Sequence, residues 1–204
     1  MTQQRIAVVT GGMGGLGESI STKMADAGYK VVVTYSPSNT KYKSWLDEMK
    51  SQGYAFGAYP VDVANFDDCA AKAAQIAREA GPIDILVNNA GITRDMTFKK
   101  MTKSDWDVVM RTNLDSCFNM TKQVMDGMVE RGWGRVINVA SVNGQKGAFG
   151  QTNYSAAKAA HAAGDDRELF LCHGFAPPVT NQISGPVYYI MCMPPLTEMF
   201  APVM

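Results

Sequence analysis

Thr10-Gly11-Gly12-Met13-Gly14-Gly15-Leu16-Gly17 decides how this chain folds. It follows the apolar run Ile6–Val9 and opens an amphipathic stretch that closes at Gly28, so strand, glycine turn and helix come in that order. Two spacings are satisfied at once, Gly12-x-Gly14-x-x-Gly17 and Thr10-Gly11-x-x-x-Gly15-x-Gly17. Glycines in such a turn let the backbone bend tightly and approach a pyrophosphate at the positive end of the helix. The stretch predicts a dinucleotide site, with Thr10, Gly11, Gly12, Gly14, Gly15, Leu16 and Gly17 as its candidate residues.

Outward from this turn, short apolar runs alternate with amphipathic segments. Residues 5–10, 30–35, 55–61, 83–88 and 135–140 read as strands. Residues 16–27, 41–52, 67–80 and 104–130 read as helices, the first three closed by Gly28, Gly53 and Gly81 and the fourth opened by Thr102 or Ser104; another helix begins at Asn153. Strand–helix alternation predicts an α/β, doubly wound parallel sheet of Rossmann type, with ligands at the carboxyl ends of its strands.

Composition narrows the function classes. At 204 residues the chain suits one domain with a substantial core. Lys+Arg and Asp+Glu balance at 19 each, so no net field points to nucleic acid or an anionic membrane as a partner. No apolar stretch has spanning length, and Ile6–Val9 is too short for a signal-peptide core, so a cytoplasmic location is expected. Cys69, Cys117, Cys172 and Cys192 show no C-x-x-C or zinc spacing and read as reduced thiols. His161 and His173 have no partner at ligand spacing, so no metal site is expected.

The chemistry-bearing residues come later. Tyr154 and Lys158 stand at i and i+4, on one helix face, after Ser141 at the end of the fifth strand. An ammonium beside a phenol favours the phenolate, which makes such a tyrosine a usable proton donor and acceptor near neutrality. Beside a nicotinamide, this pair suits ketone/alcohol redox chemistry. The second strand ends Thr34-Tyr35-Ser36, without the carboxylate that binds an unphosphorylated ribose, and Lys41 and Lys43 follow. Ser36 and Lys41 are therefore candidates for a 2′-phosphate, and NADPH is the expected cofactor.

These residues together resemble the short-chain dehydrogenase/reductase family over residues 4–160. The matching motifs are the glycine turn, Asp62-Val63, Asn88-Asn89-Ala90-Gly91, Asn113, Ser141 and Tyr154-Ser155-Ala156-Ala157-Lys158. The resemblance implies that Ser141 bonds the substrate carbonyl oxygen and Tyr154 protonates it. It also implies that Lys158 bonds the nicotinamide ribose and Asn113 holds a water leading to the lysine. Asp62 and Val63 would flank the adenine, and Asn89, Ala90 and Gly91 would line the cofactor cleft. Within the family, the stretch from Ser141 to Tyr154 and the phrase Gly91-Ile92-Thr93-Arg94-Asp95 resemble the acetoacetyl-CoA reductases of polyhydroxybutyrate synthesis. That likeness implies an acyl-CoA thioester substrate held by Asp95, Ser141, Phe149, Gln151 and Tyr154, the product (R)-3-hydroxybutyryl-CoA, and a homotetramer. The 3-oxoacyl-carrier-protein reductases share the chemistry and are the alternative, with Lys99, Lys100 and Lys103 able to meet CoA phosphates or an acidic carrier.

Beyond residue 160 the rhythm fails. Six of the nine prolines fall between Pro177 and Pro202, and only residues 187–193 resemble a strand. The expected division is a catalytic Rossmann domain over 1–160 and an atypical tail over 161–204, out of frame with its relatives or poorly ordered. The usual last strands are expected to be missing, leaving an inactive cofactor-binding remnant as a further alternative.

Overall fold

In the computed structural model, the described residues are 4–160, together with the backbone of two strands at 169–172 and 188–192. The first unit is β1 (Ile6–Val9), the glycine turn and α1 (Leu16–Asp26). Then come β2 (Lys30–Tyr35), α2 (Tyr42–Ser51), β3 (Gly57–Pro60), α3 (Phe66–Glu79) and β4 (Ile83–Asn88). After a 3-10 turn (Phe98–Lys100) follow α4 (Lys103–Met110), a π-helical turn (Arg111–Asp115) and α5 (Ser116–Glu130). β5 (Arg135–Val139), α6 (Val142–Lys146), α7 (Thr152–Ala160), β6 (Leu169–Cys172) and β7 (Tyr188–Cys192) complete the order.

All strands pair in parallel, in the order β3-β2-β1-β4-β5-β7-β6. Alternation along β1 builds both faces. Ile6 and Val8 join a core with Cys69, Ala73 and Ile76 of α3 and Met120, Val124 and Met128 of α5. Ala7 and Val9 join the opposite core, with Ile20 and Met24 of α1 and Trp45 and Met49 of α2. Helices on both faces explain why these strands read as unbroken apolar runs. The chain reverses direction across the sheet between β1 and β4, and at such a switch point the loops diverge and leave a crevice.

The predicted elements stand, with shorter strands at β1, β3 and β5. Two differences matter. The region read as one helix over 104–130 is interrupted by the π turn. The loop after Ser141 contains the short helix α6, which no periodicity announced. Beyond β5, the described backbone of β6 and β7 pairs onto the sheet in parallel. Their Leu-Phe-Leu-Cys and Tyr-Tyr-Ile-Met-Cys runs are apolar and aromatic, a composition suited to strands of a parallel sheet. His161 and His173 lie outside the described residues.

Local signals account for the ends of several helices. Thr102 and Asp105 form a capping box at α4, the threonine hydroxyl accepting from the Asp105 N–H and the carboxylate from the Thr102 N–H. The Thr102 hydroxyl, which also donates to the Asp105 carboxylate, and then the Thr102 N–H hold that carboxyl below the ordinary aspartate range. At α3, the Asn65 side chain accepts from the Asp68 N–H at 3.0 Å.

Candidate active site

The crevice at the switch point is a cavity of about 470 Å³. The turn after β1 gives it Gly11, Gly14, Leu16 and Gly17, and the exit of β2 gives Thr34, Tyr35 and Ser36. The exit of β3 gives Val61, Asp62 and Val63; the loop after β4 gives Asn89, Ala90, Gly91 and Ile92; and Thr112 closes the end beside the π turn. Of the predicted cofactor residues, Thr10, Gly12, Gly15, Lys41, Tyr154 and Lys158 do not line it. Thr34, Tyr35, Val61, Ile92 and Thr112 do, although none of them was a cofactor candidate. Three of these five sit at strand exits, which the predicted strand ends at 35 and 61 already marked.

Thr10 and Asn89 hold the crevice together from behind. The Thr10 hydroxyl donates to the Val87 carbonyl at 3.3 Å and accepts from the N–H groups of Asn89 and Ala90, both at 3.0 Å. The Asn89 amide donates to the carbonyls of Thr10 at 3.0 Å and Gly11 at 3.1 Å. The exits of β1 and β4 are thereby bonded to each other.

The glycine turn itself fits a dinucleotide. A Cβ on Gly17 would sit 2.1 Å from the Gly11 carbonyl oxygen, so that glycine is required by the fold. A Cβ on Gly14 would meet nothing within 4 Å, so packing places no demand for glycine there. An open backbone surface at the N-terminus of an eleven-residue helix matches what a pyrophosphate needs.

Ser141 follows the end of β5 by two residues, Lys158 of α7 bonds the last carbonyl of that strand, and Tyr154 stands one turn before Lys158 on α7. Ser141 is the N-cap of α6, its Oγ accepting from the Asn143 N–H at 3.2 Å. That bond uses a lone pair and leaves the hydroxyl proton for another acceptor. Lys158 is only 4 % exposed, and its Nζ donates to the Val139 carbonyl at 2.7 Å. Burial pushes its pKa below the ordinary lysine range, with Cys117 opposing the shift. The same ammonium lies 6.0 Å from the centroid of the Tyr154 ring, so the i,i+4 pair shares a face as expected. Gly144 lets α6 press on α7: a Cβ there would stand 2.7 Å from the Lys158 carbonyl carbon.

Asn113 lies in the π turn and is fully buried. Its Oδ1 accepts from the Ile92 N–H at 3.1 Å, and its Nδ2 donates to the carbonyls of Ile92 and Val109, each at 2.9 Å. A π turn disturbs the i→i−4 ladder, and here the amide reaches back to a carbonyl four residues earlier. Asn113 thus ties the helix that carries it to the loop lining the crevice.

Of the predicted substrate residues, Asp95 and Gln151 are bonded directly, and Asn143 links Gln151 to Ser141. Gln151 donates to the Asp95 carboxylate at 2.9 Å and accepts from the Asn143 amide at 2.8 Å. Asn153 donates to the carbonyls of Arg94 and Asp105, each at 3.3 Å, fixing the start of α7 against the same loop. Phe149 is 94 % exposed beside this cluster in sequence. Asn143 was not named as a site residue, although it lies within the stretch from Ser141 to Tyr154 that carried the resemblance.

Residues 5–163 match the family described as short chain dehydrogenase. The chain is 53% identical over 156 residues to an acetoacetyl-CoA reductase of Cupriavidus necator, covering 76% of this chain and 63% of that protein. It is equally similar, 53% over 156 residues with the same 76% and 63% coverage, to nodulation protein G of Azospirillum brasilense. A 3-oxoacyl-(acyl-carrier-protein) reductase of Staphylococcus aureus is 38% identical over 159 residues, covering 78% of this chain and 65% of that protein. The chain thus spans just under two thirds of the length of these relatives.

Proposed function

This chain belongs to the short chain dehydrogenase family, and on that premise we propose that it is an NADPH-dependent reductase converting acetoacetyl-CoA to (R)-3-hydroxybutyryl-CoA. One observation carries the chemistry. Tyr154 and Lys158 share one face of α7, with the ammonium anchored at the exit of β5 two residues before Ser141.

The nicotinamide, when bound, supplies the hydride that converts the 3-oxo group to an alkoxide. Tyr154 donates its phenolic proton to that oxygen, so ketone, hydride and proton balance as the alcohol. Ser141 donates a hydrogen bond to the same oxygen as negative charge develops there. Lys158, its ammonium 6.0 Å from the centroid of the Tyr154 ring, would bond the nicotinamide ribose. Asp95, Phe149 and Gln151 form the acyl subsite, and Asn113 keeps the Ile92 loop in place.

Three features of β2 and its exit support a phosphorylated ribose. No acidic residue occurs between Thr34 and Asp47. The hydroxyls of Ser36 and Ser38 lie 2.9 Å apart, and Lys41 stands at the N-cap position of α2. Hydroxyls, a lysine and a helix N-terminus all accept a phosphate. A carrier-protein thioester is the second reading, supported by the Staphylococcus aureus relative and by exposed Lys99, Lys100 and Lys103. A homotetramer in the cytoplasm completes the proposal; no helix among the described residues is long and apolar enough to cross a membrane.

The test is consumption of NADPH on adding acetoacetyl-CoA, with Tyr154→Phe as the control. The variant is expected to lose about 10²–10⁴-fold, the range for a positioned general acid. Equal rates in both proteins overturn the assignment of Tyr154. NADPH binding without turnover on CoA or carrier-protein thioesters favours a cofactor-binding remnant.

A further inference from the structure

Asn143 bonds in two directions. Its backbone N–H donates to Ser141 Oγ at 3.2 Å, and its side-chain amide donates to Gln151 Oε1 at 2.8 Å. Gln151 in turn donates to the Asp95 carboxylate at 2.9 Å. The backbones that carry this row are fixed. A Cβ on Gly144 would stand 2.7 Å from the Lys158 carbonyl carbon, so α6 lies hard against α7. The Gly147 N–H bonds the Asn143 carbonyl at 3.0 Å. The Met96 N–H bonds the Gly150 carbonyl at 2.8 Å, which ties the Asp95 loop to the approach to α7.

Chemistry gives the row one polarity. A carboxylate only accepts, so Gln151 turns its NH2 group to Asp95 and its oxygen to Asn143, and Asn143 has to present its own NH2 group. Reversing either amide sets two donors or two acceptors face to face. The Gln151–Asp95 bond is exposed, where water replaces a lost partner at little cost to the fold. What the row does instead is hold a long, rotamer-rich side chain in one place before substrate arrives, which spares that ordering on binding.

We propose that Asn143 is a positioning residue for the acyl subsite. It fixes Gln151 at a set separation from Ser141, so the thioester meets an already ordered amide when the 3-oxo group reaches the serine. The proposal rests on the reductase reading of the site. It assigns the Asn143 side chain to substrate affinity and not to the proton and hydride steps, because a side-chain change at this position keeps the backbone N–H that bonds Ser141.

Steady-state kinetics with acetoacetyl-CoA and NADPH test this on the full chain. Asn143→Ala is expected to raise KM for acetoacetyl-CoA about 3–10-fold, the worth of one hydrogen bond, with kcat and the KM for NADPH within about twofold of the parent. Titration of acetoacetyl-CoA with NADP+ present, where no hydride is available, is expected to show the same loss of affinity. Asn143→Asp sets an acceptor against the Gln151 oxygen and is expected to raise KM more than alanine does. Adding Asp95→Asn permits the reversed polarity, so Asn143→Asp is expected to cost about threefold less, or better, in that background than in the parent. A KM for Asn143→Ala within about twofold of the parent, a loss confined to kcat, or an equal cost of Asn143→Asp in both backgrounds overturns the proposal. A parent that reduces no acetoacetyl-CoA overturns the reductase reading itself, and this proposal with it.

Discussion

Asn113→Ala removes three hydrogen bonds with one substitution, and the structure allows its effect to be worked out. The bonds to the Ile92 N–H and carbonyl are partly exposed, so water replaces them and each loss is worth about 0.5–1 kcal/mol. The bond to the Val109 carbonyl is buried, and an acceptor left short of a partner there costs about 1–3 kcal/mol. The sum is roughly 2–5 kcal/mol. For a chain of this length that is a fall of about 5–15 °C in Tm. Asn113→Asp is the sharper control. It keeps an acceptor for the Ile92 N–H but turns both donors into acceptors facing carbonyls, so it is expected to lose at least as much. Urea unfolding followed by circular dichroism, with an unchanged slope, measures both. A loss under about 0.5 kcal/mol for alanine, or a parent-like aspartate variant, refutes the reasoning.

Two further predictions follow from the glycine turn and the buried lysine. Gly14→Ala is expected to leave unfolding without nucleotide within about 1 kcal/mol of the parent while weakening NADPH binding; Gly17→Ala, whose Cβ meets the Gly11 carbonyl, is expected to destabilise the fold. Parent-like binding by Gly14→Ala, or a parent-like fold in Gly17→Ala, contradicts this division. Lys158 has a folded-state pKa below its unfolded value of about 10.4, so between the two the unfolded chain holds more protons and stability rises with pH. Stability of the parent relative to Lys158→Met is therefore expected to climb as pH is raised from neutrality toward about 10. Parallel pH profiles for the two proteins would show that burial does not strain this charge.

Much of the molecule was legible residue by residue. The Ile6–Val9 run, the glycine turn and Gly28 specified a strand–turn–helix unit because local backbone chemistry alone demands one there. Tyr154 and Lys158 shared a face because helical spacing puts i and i+4 together. The π turn escaped notice, since a one-residue irregularity leaves hydrophobic periodicity almost intact and is held by Asn113 bonding to a distant loop. The helix α6 escaped because five residues are too few to show a period.

Sequence by itself determined the strand–helix alternation, the glycine approach to a pyrophosphate and the residue types able to move a proton. Those properties depend on neighbours a few positions apart along the chain. Only the tertiary structure decided that Thr10 and Asn89 brace the crevice, that Lys158 is desolvated against Val139, and that Asn143, Gln151 and Asp95 bond in a row. Burial and bonding of this kind depend on strands and loops that meet in space from tens of residues apart, and no local pattern encodes them.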